Sequence, residues 1–135
     1  MPRPDREDMP VIPAAFDYHR PGSVADAVGL IARLGEEARV LAGGHSLIPM
    51  MKLRMAAPEH LIDLAGIAEI AEIAVEGDRA TIGAMVTQHA LIAHEGLAQA
   101  VPLLREAAVQ IADPQVRYCG TVGGNVATGD PANDM

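Results

Sequence analysis

The sequence contains few cysteine and aromatic residues. Among its 135 residues, Cys119 is the single cysteine, and Phe16, Tyr18 and Tyr118 are the only aromatic residues. One cysteine excludes an intramolecular disulfide, and it excludes a four-thiolate zinc or iron–sulfur site within this chain. Because aromatic residues are so few, the core must be built from aliphatic side chains. The single cysteine also fits a reducing compartment.

Positive charge and long apolar runs are scarce as well. The chain has 10 Lys and Arg against 18 Asp and Glu, which gives a formal net charge of −8. Nucleic acids and anionic membranes attract positively charged surfaces, so neither is an expected partner. No stretch approaches 18 uncharged apolar residues, and the N-terminus lacks the pattern of a secretory signal. We expect a cytoplasmic protein with no transmembrane segment.

The first half of the chain alternates helical and extended patterns. Residues 1–10 are rich in proline and charge, which predicts a flexible leader, and the fold is expected to begin near Val11. The segment "SVADAVGLIARLG" predicts a helix with Ser23 as its N-cap and Gly35 just beyond its end. The next segments predict a strand in "RVLA", a short helix in "HSLIPMMKLRM" with Ser46 as its N-cap, and a second strand in "EHLIDL".

The second half begins with a predicted β-hairpin in "IAEIAVEGDRATIGAM". Thr87 is expected to cap a helix in "QHALIAHEGL", and "AVPLLREAAVQIA" predicts another helix that stops at Asp113-Pro114. The following "QVRYCGTVGGN" is expected to be extended. Short strands mixed with helices indicate a domain that contains both α and β structure.

Two glycine pairs are the main candidates for a binding site. Gly43-Gly44 and Gly123-Gly124 each follow a segment that is predicted to be extended. Glycine allows a positive φ and a close approach of the backbone, so successive N–H groups can converge on an anion such as a diphosphate. Ordinary turns use the same residues. Neither pair has the spacing of a Walker loop or of a Gly-x-Gly-x-x-Gly fingerprint.

Other candidate residues carry weaker signals. His45 has the chemistry to donate to a phosphate, and it is equally typical of a surface hydrogen-bonding group. Cys119 is expected to be a small residue in or near the core. Asp130 and Asp134 are more typical of turns than of acid–base catalysis. The residues predict neither a catalytic group nor a metal site.

The order of four motifs carries a more specific signal. "FDYHRPGSVADAV", "LAGGHSLIPMMKLRM", "IGAMVTQHALI" and "IADPQVRYCGTVGGNVATGDPANDM" together resemble the flavin-binding medium subunits of the molybdenum hydroxylases, most closely those of the carbon monoxide dehydrogenase type. The resemblance runs from about Ile12 to the last residue. It implies an α+β fold, the FAD-binding domain of the vanillyl-alcohol-oxidase type.

The resemblance also implies how this domain is divided. A small parallel subdomain is expected at about residues 11–66, and the start of a larger antiparallel subdomain at about residues 67–135. Flavoproteins of this family continue for about as long again. The rest of the second subdomain and the C-terminal flavoprotein domain are therefore expected to be absent from this chain.

The site that the resemblance implies consists of two loops around the FAD diphosphate. Asp134 is expected to hydrogen-bond the cofactor, and Ile111 is expected to pack near it. The first loop contains Ala42, Gly43, Gly44, His45, Ser46 and Leu47, and the second contains Thr121, Val122, Gly123, Gly124 and Asn125.

The activity that the resemblance implies is electron transfer by a subunit of an FAD-dependent oxidoreductase. A large subunit with a molybdenum cofactor would oxidise the substrate, and a small subunit with [2Fe–2S] clusters would deliver the electrons to FAD. FAD would pass them to an external acceptor, with the complex at the inner face of the membrane. This chain alone is not expected to be active. Two alternatives are a truncated interaction module without cofactor and an unrelated phosphate-binding α/β domain.

Overall fold

A computed structural model describes residues 12–111 and 113–132 of the chain. The predicted leader at residues 1–10, the predicted start at Val11, and Asp134 lie outside these described residues. Within them, no helix has both the length and the apolar character needed to cross a bilayer.

The first part of the chain forms a three-stranded parallel sheet. Its strands are β1 (Asp17–His19), β2 (Ala38–Leu41) and β3 (His60–Asp63), in the order β1-β3-β2. The central strand pairs on both sides, with His60 opposite Asp17 of β1 and Ala38 of β2. Leu61 and Ile62 are fully buried, as expected for a strand covered on both faces. The predicted parallel sheet is therefore confirmed.

Helix α1 (Val24–Leu34) connects β1 to β2 and has the predicted caps. The Ser23 side chain accepts a hydrogen bond of 3.1 Å from the backbone N–H of Asp26. Gly35 follows the helix with φ of 58° and donates its N–H to the carbonyl of Ile31. Ala27 of α1 packs with Ala38, Ile62 and Ile67 in a first hydrophobic cluster.

Helix α2 (Leu47–Lys52) follows β2 after a short irregular segment. Ser46 occupies the predicted N-cap position, but its side chain makes no capping hydrogen bond. Met51 is the buried residue of this helix. Two single 3₁₀ turns, Leu64–Gly66 and Ala68–Ile70, lead from β3 to the second part of the chain.

The second part begins with the predicted hairpin. Strands β4 (Ile73–Glu76) and β5 (Arg79–Ile82) pair antiparallel, and Gly77 in the turn has φ of 59°. The hairpin packs on the short helices α3 (Gln88–Ala93), α4 (Glu95–Ala100) and α5 (Pro102–Ala108). A second hydrophobic cluster between them is centred on the buried residues Val86, Leu91, Leu97 and Ala108.

The helices in this region are shorter than predicted. The segment that was expected to form one helix after Thr87 is interrupted at His94, whose Nδ1 accepts a 3.0 Å hydrogen bond from Leu97 N–H and caps α4. The helix expected from "AVPLLREAAVQIA" starts only at Pro102 and ends at Ala108. Proline favours the first helical position because it has no N–H to donate.

The prediction that "QVRYCGTVGGN" is extended is wrong. This segment forms α6 (Pro114–Cys119) and the start of α7 (Val122–Thr128). Asp113 caps α6 by accepting a 3.0 Å hydrogen bond from Val116 N–H. The prediction that Cys119 lies in or near the core is also wrong, because the residue is exposed. Local capping groups thus make two short helices from a segment with weak helical propensity.

Candidate functional site

A cleft of about 530 Å³ lies between the end of β2 and helix α7. We call residues 42–47 the first glycine segment and residues 121–125 the second glycine segment. All six residues of the first and four of the second line the cleft: Ala42, Gly43, Gly44, His45, Ser46, Leu47, Thr121, Gly123, Gly124 and Asn125. The fold therefore brings both predicted segments to one place.

The remaining predicted residues are placed differently. Val122 does not line the cleft, because its side chain packs against the second hydrophobic cluster. Ile111, which was expected near a cofactor, does line it and is almost fully buried. Asp134 lies outside the described residues.

The topology of the sheet explains the position of the cleft. Val40 near the end of β2 and Leu64 just after β3 both line it. The carboxyl ends of neighbouring parallel strands meet at one edge of a sheet, and ligands in open α/β sheets bind there. The first glycine segment therefore begins at the expected edge.

Gly43 is the point where the backbones of the two halves meet. A Cβ atom on Gly43 would lie 2.2 Å from the carbonyl oxygen of Cys119 and 3.1 Å from Cα of Gly120. Gly44 has a φ of 79°, which most residues with a side chain avoid. The interpretation that these glycines leave room for a ligand is thus incomplete, because Gly43 first of all leaves room for the chain itself.

The first glycine segment presents a group of unused backbone donors. Among the described residues, no acceptor is found for the N–H groups of Gly44, His45, Ser46 and Leu47. The carbonyls of Gly44 and Ser46 do accept, from Ile48 N–H at 3.0 Å and Met50 N–H at 3.4 Å. Consecutive N–H groups without acceptors favour an anion nearby.

The second glycine segment is not such a nest, because the N–H groups of residues 122–125 are already bonded within the chain. Four of its five donors, all but Thr121 N–H, find an acceptor at 2.8 to 3.1 Å. The pairs are Val122 with the Val86 carbonyl, Gly123 with the Ala84 carbonyl, Gly124 with the Thr121 hydroxyl, and Asn125 with the Thr121 carbonyl. This segment is therefore a wall of the cleft rather than a source of donors.

The described lining of the cleft contains no Asp, Glu, Lys or Arg, and His45 is its one titratable side chain. The nearby Arg117 uses its guanidinium to donate to the carbonyls of Val109 and Ile111. An anion in the cleft would therefore be bound by backbone dipoles, which explains how an acidic protein could hold one. Apolar side chains, including Met85 and Val116, form much of the remaining surface.

Gln88 is a lining residue that sequence reasoning missed. It begins α3 and is only 3% exposed, and its Oε1 has no hydrogen-bond partner among the described groups. Thr87 was predicted as a helix cap, and it does accept a 3.1 Å hydrogen bond from Ala90 N–H. No local signal distinguishes Gln88 from an exposed glutamine at the start of a helix.

Residues 14–135 match the protein family described as the FAD binding domain in molybdopterin dehydrogenase. The chain is 61% identical over 125 residues to the carbon monoxide dehydrogenase medium chain of Afipia carboxidovorans. The aligned residues make up 93% of this chain and 43% of that protein. It is 54% identical over 124 residues to the carbon monoxide dehydrogenase medium chain of Hydrogenophaga pseudoflava. Here the aligned residues make up 92% of this chain and 43% of that protein.

A solved structure shows the same arrangement. The reconstituted CO dehydrogenase from Oligotropha carboxidovorans contains a chain that superposes with a TM-score of 0.89 at 61% identity, over 92% of this chain and 43% of that chain. This chain therefore spans less than half the length of the relatives that it matches.

Proposed function

Because the chain belongs to the family of FAD-binding domains of molybdopterin dehydrogenases, we propose that its cleft holds the diphosphate of FAD in an electron-transfer subunit. The observation that carries this proposal is the run of N–H groups from Gly44 to Leu47, for which the described residues offer no acceptor. It lies at the edge of a cleft whose described lining contains no Asp, Glu, Lys or Arg. Backbone N–H groups of this kind bind phosphate oxygens.

The residues of the cleft fit the three chemical parts of FAD. The first glycine segment offers donors, and the diphosphate offers only acceptors. Apolar residues such as Ile111 and Met85 offer surface to an aromatic ring system. Polar side chains of the lining, such as Ser46 and Thr128, match the sugar hydroxyls. The volume also lies within the range of about 300–1,000 Å³ that is usual for cofactor sites.

The two glycine segments have different roles in this proposal. Gly44, His45, Ser46 and Leu47 bind the diphosphate through their N–H groups, and Ala42 and Gly43 set the direction of that segment. Thr121, Gly123, Gly124 and Asn125 form the opposite wall. The expected contact from Asp134 stays a prediction, and Val122 contributes its packing rather than a contact.

The chain's own contribution is binding and shielding rather than acid–base chemistry, since His45 is the one titratable side chain of the described lining. When bound, FAD can accept electrons one at a time and release them in pairs. Substrate oxidation would then take place in a partner subunit with a molybdenum cofactor. A second partner with [2Fe–2S] clusters would deliver the electrons, because one cysteine cannot ligate a cluster here.

The relatives named above support a complex of the carbon monoxide dehydrogenase type. We propose that electrons leave through an external acceptor and that the complex lies in the cytoplasm, at the inner face of the membrane. The alternative of an interaction module without cofactor gives no role to the N–H groups of the first glycine segment that lack an acceptor among the described residues.

A chimera tests this function. Residues 14–135 of this chain would replace the matching part of the Afipia carboxidovorans medium chain, and the chimera would be produced with the other subunits of that enzyme. We expect an assembled complex with full flavin absorbance and with CO-dependent reduction of an artificial acceptor dye. The unmodified enzyme is the control. An assembled complex that lacks flavin would contradict the proposal.

A further inference from the structure

A group of metal-ligating side chains lies at the edge of the parallel sheet where its strands begin. We call Glu37, Glu59 and His60 the sheet-edge cluster, because one ligand atom of each lies within 4.8 Å of the other two. Glu37 directly precedes β2, Glu59 directly precedes β3, and His60 is the first residue of β3. The cleft lies at the opposite edge, where β2 ends, so the cluster is separate from the proposed cofactor site.

The backbone holds the residues of the sheet-edge cluster in place. The N–H of Glu59 donates to the carbonyl of Glu37 at 2.9 Å, and the N–H of Asp17 donates to the carbonyl of Glu59 at 2.8 Å. The sheet then places His60 opposite Ala38. Glu37 and Glu59 are far apart in the sequence, so the parallel pairing of β2 with β3 brings them together, and no local spacing predicts the cluster.

The two carboxylates of the cluster lack a positively charged partner among the described residues. Glu37 and Glu59 are both exposed, and neither side chain forms an ion pair or a hydrogen bond with another described residue. Arg39 of β2 uses its guanidinium to donate to the backbone carbonyls of Glu36 and Ala38, each at 2.9 Å. Two negative groups this close repel each other, and a bound cation would remove the repulsion.

His60 has the surroundings of a histidine that binds a metal. Its Nδ1 lies 3.7 Å from Oδ2 of Asp17 and 3.3 Å from Nε2 of His19. A carboxylate beside Nδ1 favours the tautomer that carries its proton there, which leaves the lone pair of Nε2 available. Metal-bound histidines usually donate their other ring N–H to a carboxylate, a carbonyl or water in this way. The ligand and its orienting partner are therefore both present.

We propose that Glu37, Glu59 and Nε2 of His60 form a Zn²⁺ site that joins the starts of β2 and β3. One imidazole nitrogen and two carboxylate oxygens are a ligand set that Zn²⁺ accepts, whereas Mg²⁺ and Ca²⁺ prefer oxygen ligands alone. Ligand atoms of a tetrahedral zinc site lie about 3.4 Å apart, because each bond is about 2.0–2.1 Å long. The exposed carboxylates need only a small rotation to close the cluster from 4.8 Å, and water completes the coordination.

A zinc titration of the 135-residue chain tests this site. The Cys119→Ser chain is the starting protein, because the exposed thiol of Cys119 is itself a zinc ligand. Titration calorimetry gives the affinity, and thermal unfolding gives the stabilisation. Zn²⁺ at about 100 times its dissociation constant should raise the melting temperature by several degrees, since the site exists only in the folded chain. The same concentration of Mg²⁺ should not raise it.

Glu37→Gln in this chain removes the charge of one ligand and keeps the shape of its side chain. Loss of a partner of a metal ligand already weakens metal binding about 10–100-fold, so loss of the ligand itself should weaken it at least tenfold. Glu36→Gln is the matched control, because Glu36 is the adjacent exposed residue and lies outside the cluster. The control should bind zinc as tightly as the starting protein, and neither substitution should lower the melting temperature without zinc.

Two outcomes would overturn the inference. One is an equal zinc affinity in the Glu37→Gln and Glu36→Gln chains, which would assign the zinc to other side chains. The other is a melting temperature that saturating zinc does not raise, which would show that the ion does not join the two strands. Neither measurement involves flavin, so the proposed function is tested separately.

Discussion

The substitution Gly43→Ala is expected to abolish measurable FAD binding and to lower the free energy of unfolding by about 3 kcal/mol or more. The added Cβ would lie 2.2 Å from the Cys119 carbonyl oxygen and 2.9 Å from its carbonyl carbon. Both atoms belong to the backbone, so they cannot move aside as a side chain could. The first glycine segment and the end of α6 must therefore separate, and the cleft loses one wall.

Gly29→Ala is the control for this substitution. Gly29 lies within α1, and a Cβ there would meet no atom within 4 Å. Alanine is the better helix former by about 1 kcal/mol, so the control should be slightly more stable and should bind FAD normally. Urea unfolding and FAD titration measure both variants. A Gly43→Ala chain as stable as the unmodified chain would show that the two segments do not touch as described.

The second large effect is expected for Gly123→Ala. Helix propensity predicts that this substitution raises the free energy of unfolding, but the structure predicts that it lowers it. Gly123 is the second residue of α7, where alanine would ordinarily stabilise the helix by about 1 kcal/mol. However, its Cβ would lie 2.6 Å from Cβ of Ala84 and 2.7 Å from the Ala84 carbonyl oxygen. We expect a net loss of about 2 kcal/mol, because an overlap with backbone atoms costs about 3 kcal/mol, the upper end of the usual range for overpacking.

A close match for Gly123 is available in α4. Gly96 is also the second residue of a short helix, and a Cβ there would meet only ring atoms of His94, the nearest at 3.3 Å. Gly96→Ala should therefore change the free energy of unfolding by less than about 1 kcal/mol. Urea unfolding of the two variants gives the comparison. If Gly123→Ala were the more stable of the two, the contact between α7 and residue 84 would be wrong.

The strongest local patterns predicted the fold well. Ser23 and Gly35 delimit α1 as expected, because both caps act through bonds to residues within four positions. The parallel strand around Leu61 and Ile62 follows from an apolar run bounded by turn residues. In these places the sequence and the tertiary structure favour the same conformation.

The second glycine segment shows why the rest could not be predicted. Two consecutive glycines lower helical propensity, yet α7 forms because its first N–H groups bond to Val86 and Ala84 and because Thr121 caps it. Those acceptors lie 36 and 39 residues before their donors in the chain, so no local pattern reveals them. The burial of Gln88 has the same origin, since Gly120 fixes it from a distant part of the chain.

The resemblance identified the two segments of the candidate site but not the difference between them. It presented both as loops that hold the diphosphate. Among the described residues, the first retains consecutive donors without an acceptor, whereas the N–H groups of Val122, Gly123 and Gly124 are used inside the chain. The distinction depends on hydrogen bonds that a motif does not contain.

Amide chemical shifts of the ¹⁵N-labelled chain during titration with FAD test the central claim most directly. We predict that the largest changes occur at the amides of Gly44, His45, Ser46 and Leu47. The amides of Val122, Gly123 and Gly124 should change much less, because their hydrogen bonds stay within the protein. Saturable FAD binding with its largest changes at the second glycine segment, or outside the cleft, would contradict the account.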